Sequence, residues 1–274
     1  MKTKFFALVT IAAFVLSQAA AGGPGITFSG SVPIGVGILQ AGAVKAFEAK
    51  YNIKFASLET PGTGIGLKAL MDGKVDIAGS ARPLKAEEKK EKLLGATIGY
   101  EAVAIYVHKS NPVKNLTKDQ LKRIFTGKIA NWKEVGGKNA SIAPIISSAE
   151  NRAIVAMFEE QVMSGAPYGP GYKNITQPND KMAAIAGDEN SICAESLGLM
   201  SSLSPAVRGN VKALSVNGVE PVEKNIRSGA YPVTTTLLLV TKGLPKGDVK
   251  KFIDFMLSKE GQAFVAQSFI PVKR

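Results

Sequence analysis

The sequence contains few of the residues on which catalysis and metal binding most often depend. Its 274 residues include one cysteine, Cys193, and one histidine, His108. A lone cysteine excludes a disulfide within the chain, and HExxH and CxxC patterns are missing, so we expect neither a metal site nor a cofactor. His108 ends an apolar stretch and has no serine or aspartate at a spacing typical of catalytic triads, so we interpret it as a surface histidine. We expect that the protein is not an enzyme; a phosphatase or hydrolase is the alternative.

Arginine-rich runs and interleaved aromatic residues are also missing, which argues against a nucleic-acid-binding protein. The formal charge is nevertheless +12, because 34 lysines and arginines outnumber 22 aspartates and glutamates. Such an excess favours anionic partners, including small oxyanions. Charges of both signs alternate in residues 85–92, however, as is typical of a solvated helix face, so the charge alone identifies no ligand.

The N-terminus carries a short apolar run with the features of a signal peptide. Two lysines precede the apolar residues 5–16, and the three alanines at 19–21 offer a cleavage site. The run is too short to span a membrane comfortably, so we predict a signal peptide over residues 1–21, cleaved near Ala21; an uncleaved anchor helix is the alternative. No cysteine stands directly after this cleavage site to carry a lipid anchor, which predicts an unanchored protein of a Gram-negative periplasm. Beyond the signal we find no apolar run of membrane length.

Patterns typical of strands and helices alternate along the rest of the chain, which predicts an α/β fold. The predicted strands are residues 25–28, 53–58, 75–78, 97–108, 141–146, 211–216 and 232–241. The predicted helices are a stretch ending at residue 51, residues 67–71, 87–94, 150–163, 181–186 and 246–267, and a helix beginning after Thr117. This order permits either one continuous domain or two lobes.

Three loops in the first third of the chain share one arrangement, in which a short strand is followed by small residues and then by a helix. They are residues 29–31, 62–66 and 79–82. A helix N-terminus presents unpaired N–H groups and the positive end of the helix dipole, glycine allows close backbone approach, and hydroxyl groups add donors. Such residues also form ordinary turns, but three of these loops in succession favour a binding site for an oxyanion.

Residues 111–137, NPVKNLTKDQLKRIFTGKIANWKEVGG, form the most informative segment of the chain. Thr117 is placed to cap a helix, and Leu121, Ile124 and Phe125 fall on one face of that helix. The periodicity alone predicts only an amphipathic helix. The whole string, however, resembles a segment of the phosphate-binding proteins that serve ABC transporters.

Three further stretches are similar to the same family, so the resemblance covers essentially the whole mature chain. They are residues 68–84, with KALMDGKVDI followed by SARPL, residues 216–243, with VNGV, NI, YP and TKG, and residues 252–262, with FIDF and SKEGQ. The resemblance implies a two-lobed periplasmic binding protein, type II-like, with hinge strands between the lobes. It implies a first lobe of residues 22–105 and 229–274 and a second lobe of residues 106–228.

The implied function is the capture of phosphate or a similar tetrahedral oxyanion for an ABC permease in the inner membrane, by a protein that we expect to be a monomer. Family ligand positions correspond in this sequence to Ser31, the Val32 amide, Thr63, Gly64 and Ser80. Arg82 matches an arginine that is structural in many members, so direct ligand contact and a structural role both stay open.

The second lobe departs from the family pattern. Ser148 stands where members have an arginine, and residues 152–154 stand where they have Ser-Gly-Thr. Residues 192–194 replace the family's Ile-Gly-Tyr, and the arginine that members carry after Tyr-Pro is replaced within residues 234–236. The usual second-lobe phosphate site is therefore absent as written.

Three residues are candidates to replace that site. Arg152, near a helix start, offers a guanidinium from a shifted position, with Ser147 and Ser148 as hydroxyl donors. Arg152 is equally well read as a surface arginine. A different oxyanion, or a non-transport protein that keeps the fold for sensing or interaction, is therefore the alternative function.

Overall fold

The computed structural model describes residues 25–147 and 153–272. In these residues the strands are β1 (Ile26–Gly30), β2 (Phe55–Glu59), β3 (Ile77–Ser80), β4 (Leu93–His108), β5 (Asn115–Leu116), β6 (Ala143–Ile146), β7 (Lys173–Asn174), β8 (Ser191–Ser196), β9 (Val211–Val216), β10 (Thr234–Lys242) and β11 (Ile270–Pro271). Each predicted strand is present, with its ends moved by a few residues. The prediction missed the buried strand β8 and the two-residue strands.

Helices occupy most of the connections between strands. The α-helices are Val32–Ile34, Val44–Tyr51, Thr63–Met71, Ala86–Lys90, Lys118–Phe125, Ala153–Phe158, Pro178–Gly187, Pro205–Asn210, Glu223–Arg227, Gly247–Leu257 and Lys259–Val265. Gly35–Ala43 and Glu159–Met163 are π-helical, and Trp132–Val135 and Leu197–Ser201 are 3-10 turns. The predicted α/β class is confirmed. The predicted helix over residues 87–94 is too long, because β4 begins at Leu93.

One long strand joins the two parts of the sheet. The strand order is β2-β1-β3-β10-β4-β8-β6-β7, with β5, β9 and β11 off this path. Residues 93–102 of β4 pair with β10, whereas residues 103–107 pair with β8 and residues 105–108 with β9. We call the part built on β1, β2, β3, β10 and the first part of β4 lobe 1, and the part built on β5 to β9 and the rest of β4 lobe 2. The predicted lobe boundaries at residues 105/106 and 228/229 stay a prediction.

Each lobe has its own apolar core. In lobe 1, Phe28, Phe47 and Phe252 are fully buried, and the rings of Phe47 and Phe252 meet edge to face at 5.0 Å. In lobe 2, Trp132 is buried in a cluster with Phe125, and its Nε1 donates to the carbonyl oxygen of Asn190 at 3.0 Å. Aromatic side chains bury large apolar areas, so these clusters fix the positions of the helices around the sheet.

The three segments from residue 32 to residue 51 follow one another directly as the helix Val32–Tyr51, which has 20 residues and a mean hydropathy of 1.2. The helix is kinked at Gly42, whose φ of 137° is not helical. Length and composition would allow this helix to span a membrane, which corrects the expectation that no such run follows the signal. Its Ile34, Ile38 and Leu39 side chains are fully buried in the core of lobe 1. The helix is apolar because it packs into this core.

The predicted cap of the helix in the 111–137 segment is confirmed. Thr117 Oγ1 accepts a hydrogen bond from the N–H of Gln120 at 3.0 Å, and Gln120 Oε1 accepts one from the N–H of Thr117 at 2.8 Å. This reciprocal pair is a capping box, which satisfies two N–H groups at the helix start. Leu121, Ile124 and Phe125 face the core of lobe 2, as their spacing predicts.

Replacing Thr117 with alanine is expected to lower the free energy of unfolding by about 1 kcal/mol, because the N–H of Gln120 loses its acceptor. Urea denaturation of the purified protein measures this change. Thr126→Ala, at the other end of the same helix, is the matched control and should stay within about 0.5 kcal/mol of the wild type. Equal effects of the two variants would contradict the capping role.

The predicted single helix over residues 246–267 is wrong in one respect. The chain breaks at Ser258, whose ψ of 165° is extended. Ser258 Oγ accepts from the N–H of Gly261 at 3.3 Å and so begins a second helix, Lys259–Val265. Apolar periodicity continues through the break, so only the capping serine signals it in the sequence.

Candidate functional site

A cavity of about 200 Å³ lies between the two lobes. Lobe 1 lines it with Pro33, Thr63, Ala81, Arg82, Thr235 and Leu237, the strand β4 with Glu101, and lobe 2 with Ala153, Ala156, Met157 and Glu160. A larger groove of about 770 Å³ lies between helix Lys259–Val265 and the turn Leu197–Ser201. That groove is mainly apolar and no residue of the three predicted loops lines it, so the smaller cavity is the candidate site for an anion.

The three predicted loops of lobe 1 are held together beside this cavity. Three hydrogen bonds connect them. The N–H of Gly62 donates to the carbonyl oxygen of Gly30 (3.0 Å), and the N–H of Ser31 donates to the carbonyl oxygen of Gly79 (2.9 Å). The N–H of Ala81 donates to Thr63 Oγ1 (3.1 Å). β1 lies parallel to both β2 and β3, so the loops that follow these strands meet at one edge of the sheet.

The first loop places an unused hydroxyl group at a helix start. Ser31 is the residue before helix Val32–Tyr51 and is 3% exposed. In the described part of the chain, its Oγ is buried and has no hydrogen-bond partner. The first turn of a helix also leaves its N–H groups unpaired, and Val32 supplies one of them, whereas Pro33 has none.

The second loop presents a hydroxyl donor and an open backbone. Gly62 has a φ of 109°, a conformation that glycine adopts without strain, and helix Thr63–Met71 follows it. Because Thr63 Oγ1 already accepts from Ala81, its hydrogen is left to donate to a ligand in the cavity. Among the residues that the structure describes, no neighbouring atom lies within 4 Å of a Cβ built on Gly64, so a ligand could approach this backbone closely.

The third loop is occupied mainly by its own contacts. Ser80 is fully buried, and its hydroxyl donates to the carbonyl oxygen of Arg82 at 2.7 Å. The Arg82 guanidinium forms two hydrogen bonds to the Glu88 carboxylate, at 2.9 and 2.7 Å, and this lowers the pKa of Glu88. Ser80 therefore stabilises the turn. Arg82 reaches the cavity with its positive charge already balanced by Glu88.

Glu101 is the buried carboxyl group of the cavity. Its side chain is 5% exposed. Its Oε1 accepts from Ser196 Oγ at 2.8 Å and from the N–H of Ala102 at 3.3 Å. Burial raises the pKa of Glu101 to about 8, and the nearby Glu195 carboxylate acts in the same direction.

The described residues of lobe 2 contribute mainly apolar atoms to the cavity. Ala153, Ala156 and Met157 come from helix Ala153–Phe158, and Glu160 follows on its π-helical extension. Ser147 is buried at the end of β6 and lies beside the buried Lys181 rather than in the lining of this cavity. Ser148 and Arg152, the other two candidates of this lobe, lie outside the described residues.

Comparisons with known proteins decide the family. A family model described as a PBP superfamily domain matches residues 17–260. The phosphate-binding protein PstS of Bacillus subtilis (strain 168) is 30% identical over 298 aligned residues, which cover 99% of this chain and 95% of that protein. The chain belongs to the phosphate-binding proteins of the PBP superfamily.

Solved structures agree with this assignment. A crystal structure of a protein from Clostridium perfringens with bound phosphate is 33% identical, has a TM-score of 0.63, and covers 91% of this chain and 100% of that one. The crystal structure of PstS from Borrelia burgdorferi has a TM-score of 0.79 at 24% identity and covers 91% of this chain. This second likeness shows the shared fold. The predicted family and the predicted two-lobed α/β architecture are confirmed.

The assignment of individual ligand-binding residues in this member of the family stays a prediction. Thr63 and Arg82 line the cavity, and Ser31 and Gly64 lie in the loops beside it. Sequence reasoning missed Glu101, Glu160, Met157 and Thr235 among the lining residues. The sequence does indicate that Glu101 is unusual, because it is the one charged residue between positions 97 and 107, in a strand that is otherwise mostly apolar.

Proposed function

We propose that the protein binds phosphate or a similar tetrahedral oxyanion between its lobes and delivers it to an ABC permease. The observation that carries this proposal is the meeting of three small-residue loops, two of which begin helices, beside one cavity between the lobes. The names of the relatives from Bacillus subtilis and Clostridium perfringens support phosphate as the anion. Its role is binding without catalysis.

Binding at this site needs no covalent step. The N–H groups at the start of helix Val32–Tyr51 and the hydroxyl groups of Ser31 and Thr63 would replace water around the anion. The buried Oγ of Ser31, which has no partner among the described residues, gains one when the anion is present. Since the cavity has walls from both lobes, a ligand that contacts both favours a closed arrangement.

The same proposal includes the organisation and location of the protein. Residues 22–105 and 229–274 form one lobe and residues 106–228 the other, with β4 and β10 as hinge strands; the change of pairing partner along β4 supports this division. The protein acts as a monomer after export, with the signal peptide of residues 1–21 removed and no lipid anchor. Its location is the periplasm.

Isothermal calorimetry with phosphate, arsenate, sulfate and molybdate tests the proposal, and phosphate is expected to bind. Thr63→Val is expected to weaken phosphate binding about tenfold, because it removes a hydroxyl donor and leaves the N–H of Ala81 without its acceptor. Thr63→Ser is the matched control, which keeps the hydroxyl and should stay within about threefold of the wild type.

Two results would count against this function. Absence of heat with all four anions would remove the proposed ligand class. Equal affinities for wild type, Thr63→Val and Thr63→Ser would show that the second loop does not contact the anion, so that another part of the protein would have to hold it.

A second candidate is a sensing or interaction protein with an altered site, and one observation favours it. The described residues that lobe 2 places in the cavity are three apolar side chains and the carboxylate of Glu160, which do not attract an anion. This candidate predicts no closure on any anion. Small-angle scattering with and without saturating phosphate separates the two, since capture between lobes should reduce the radius of gyration.

A further inference from the structure

The strand β10 leads from the cavity to the opposite end of lobe 1. Its residues Thr235 and Leu237 line the cavity, and it ends at Lys242, roughly 17 Å further along the strand. The antiparallel strand β3 ends at Ser80, next to the cavity residue Ala81, so its other end lies toward Lys242. The Lys242 end of lobe 1 is therefore a separate surface, away from the cavity.

Three segments of the chain meet at this end of the lobe. The N–H of Gly243 donates to the carbonyl oxygen of Lys92 at 2.8 Å. Lys242 Nζ donates to the carbonyl oxygen of Met71, also at 2.8 Å. We call these segments together the lysine surface, which comprises residues 68–74, 89–94 and 242–246.

The lysine surface carries an excess of positive charge. It has seven lysines against two carboxylates, which gives a net charge of +5, and all seven lysines are exposed. Five of them form no ion pair among the residues that the structure describes, namely Lys89, Lys90, Lys92, Lys242 and Lys246. Such a concentration of unpaired ammonium groups attracts an anionic partner.

The carboxylates in and around the lysine surface do not neutralise it. Asp72 is shared by two other lysines of the surface, whose ammonium groups lie 3.2 and 3.5 Å from it. Glu87, Glu88 and Asp248, which flank the surface, are each paired with a lysine or arginine outside it. Glu91 is left, and one carboxylate does not balance five ammonium groups.

Two leucines are exposed on the same surface. Leu244 is 77% exposed and is the most exposed large apolar side chain in residues 25–147 and 153–272; Leu94 is 44% exposed. Leu244 lies in the turn between β10 and helix Gly247–Leu257, and Leu94 lies at the start of β4. A single exposed leucine is common in soluble proteins. Here two of them lie among unpaired lysines.

This combination matches the surface of an anionic lipid bilayer. Lysine ammonium groups bind anionic headgroups, their aliphatic stems lie along the apolar boundary, and a protruding apolar side chain enters the acyl region. Nucleic acid would be held by the lysines alone and would leave the leucines in water. A protein partner needs a matching pocket for Leu244, whereas a bilayer accepts a protruding side chain without one.

We propose that the lysine surface docks lobe 1 on an anionic lipid bilayer, with its lysines on the headgroups and Leu244 inserted at the acyl boundary. This docking does not depend on the proposed capture of an anion, because the cavity lies at the other end of the lobe. One leucine and a few lysines bind a bilayer weakly, so the attachment is reversible. The docked protein stays near the membrane with its cavity accessible to solvent.

Cosedimentation of the exported, purified protein with lipid vesicles tests the proposal. Vesicles with about 30% phosphatidylglycerol in phosphatidylcholine should bind the wild type at least about tenfold more tightly than vesicles of phosphatidylcholine alone. Raising the salt concentration from about 0.05 M to about 0.5 M should remove most of this binding, because salt screens the lysines.

A pair of charge reversals tests the lysines. Lys89→Glu combined with Lys92→Glu is expected to weaken binding to the phosphatidylglycerol vesicles by at least about tenfold. Lys128→Glu combined with Lys133→Glu is the matched control, since it changes the net charge equally at two exposed lysines of lobe 2. This control should stay within about threefold of the wild type.

A second pair of variants tests the leucine. Leu244→Ser is expected to weaken binding to the same vesicles about fivefold, because it removes the inserted apolar side chain. Val222→Ser, at an apolar residue of lobe 2 that is 44% exposed, is the matched control and should bind as the wild type does.

Each other outcome overturns the proposal or a stated part of it. Absence of wild-type binding to phosphatidylglycerol vesicles overturns it, and so does equal binding to both kinds of vesicle, which would assign the binding to an apolar segment outside the lysine surface. Equal losses for the two charge-reversed pairs would show that net charge alone governs binding. Full binding by Leu244→Ser overturns the insertion of that leucine.

Phosphate calorimetry separates this proposal from the proposed function. All four variants should bind phosphate as the wild type does, which also shows that they are folded. If a variant does not fold, the lipid and salt dependence of the wild type still decides the matter. Absence of phosphate binding by the wild type overturns the proposed function and leaves the docking surface in place.

Discussion

Replacing Lys181 with methionine is expected to lower the free energy of unfolding by about 3–5 kcal/mol. Lys181 Nζ lies 3.2 Å from Glu195 Oε2, and the two side chains are 2% and 1% exposed. The ammonium group also donates to the carbonyl oxygen of Ala194 at 3.3 Å. Without Lys181, the Glu195 carboxylate loses its buried counter-charge and stays far from water. Urea denaturation at neutral pH measures the loss.

Two further variants separate the loss of the pair from the loss of packing. The double variant Lys181→Met with Glu195→Gln removes both charges and should be clearly less destabilised than the sum of the single variants. Lys250→Met breaks an exposed pair with Asp254 at 2.6 Å and should cost less than about 1 kcal/mol. A loss for Lys181→Met no greater than that for Lys250→Met would show that burial does not strengthen the pair.

Gly66→Ala is expected to destabilise the protein by about 2–3 kcal/mol, because the added methyl group has no space. A Cβ at this position would lie under 3.0 Å from the carbonyl oxygen of Ser29 and from the Cα of Gly30. Both atoms belong to the backbone of β1, which is fixed between β2 and β3. Helix Thr63–Met71 would have to move away from the strand, and the second loop would move with it.

Gly64→Ala is the matched control for this prediction, two residues earlier on the same helix. Within residues 25–147 and 153–272, no neighbouring atom lies within 4 Å of a Cβ built on Gly64. Alanine favours the helix by up to about 1 kcal/mol, so this variant should be as stable as the wild type or more stable. Thermal unfolding of both variants measures the difference, and equal loss at the two positions would contradict the close packing of Gly66 on β1.

Local signals in the sequence predicted much of the fold. The cap at Thr117 and the apolar face of Leu121, Ile124 and Phe125 are decided within a few residues, so their pattern was sufficient. The break at Ser258 was missed because the apolar spacing continues across it. The strand β8 was missed because its sequence, SICAES, has neither alternation nor enrichment in β-branched residues.

The site was predictable only in part. The three loops could be found because small residues between a strand and a helix are a local feature, and the structure brings these loops together. The hydrogen-bond partners of each side chain could not be predicted from such local features. Ser80 and Thr63 occupy similar sequence contexts, but their hydroxyl groups behave differently. The Ser80 hydroxyl donates to the carbonyl oxygen of Arg82 in its own turn. Thr63 Oγ1 accepts from the N–H of Ala81 in a neighbouring loop, so its hydroxyl hydrogen is still available to donate.

The sequence by itself determined the α/β class, the family, the first-lobe loops and the small number of catalytic residue types. Only the tertiary structure decided that Glu101 meets Ser196, 95 residues away, and that Lys181 is buried against Glu195. The first contact exists because β4 pairs with β8, and the second because the helix Pro178–Gly187, which carries Lys181, packs against that strand. Local sequence patterns extend over only a few residues and therefore do not predict contacts between residues that are far apart in the sequence.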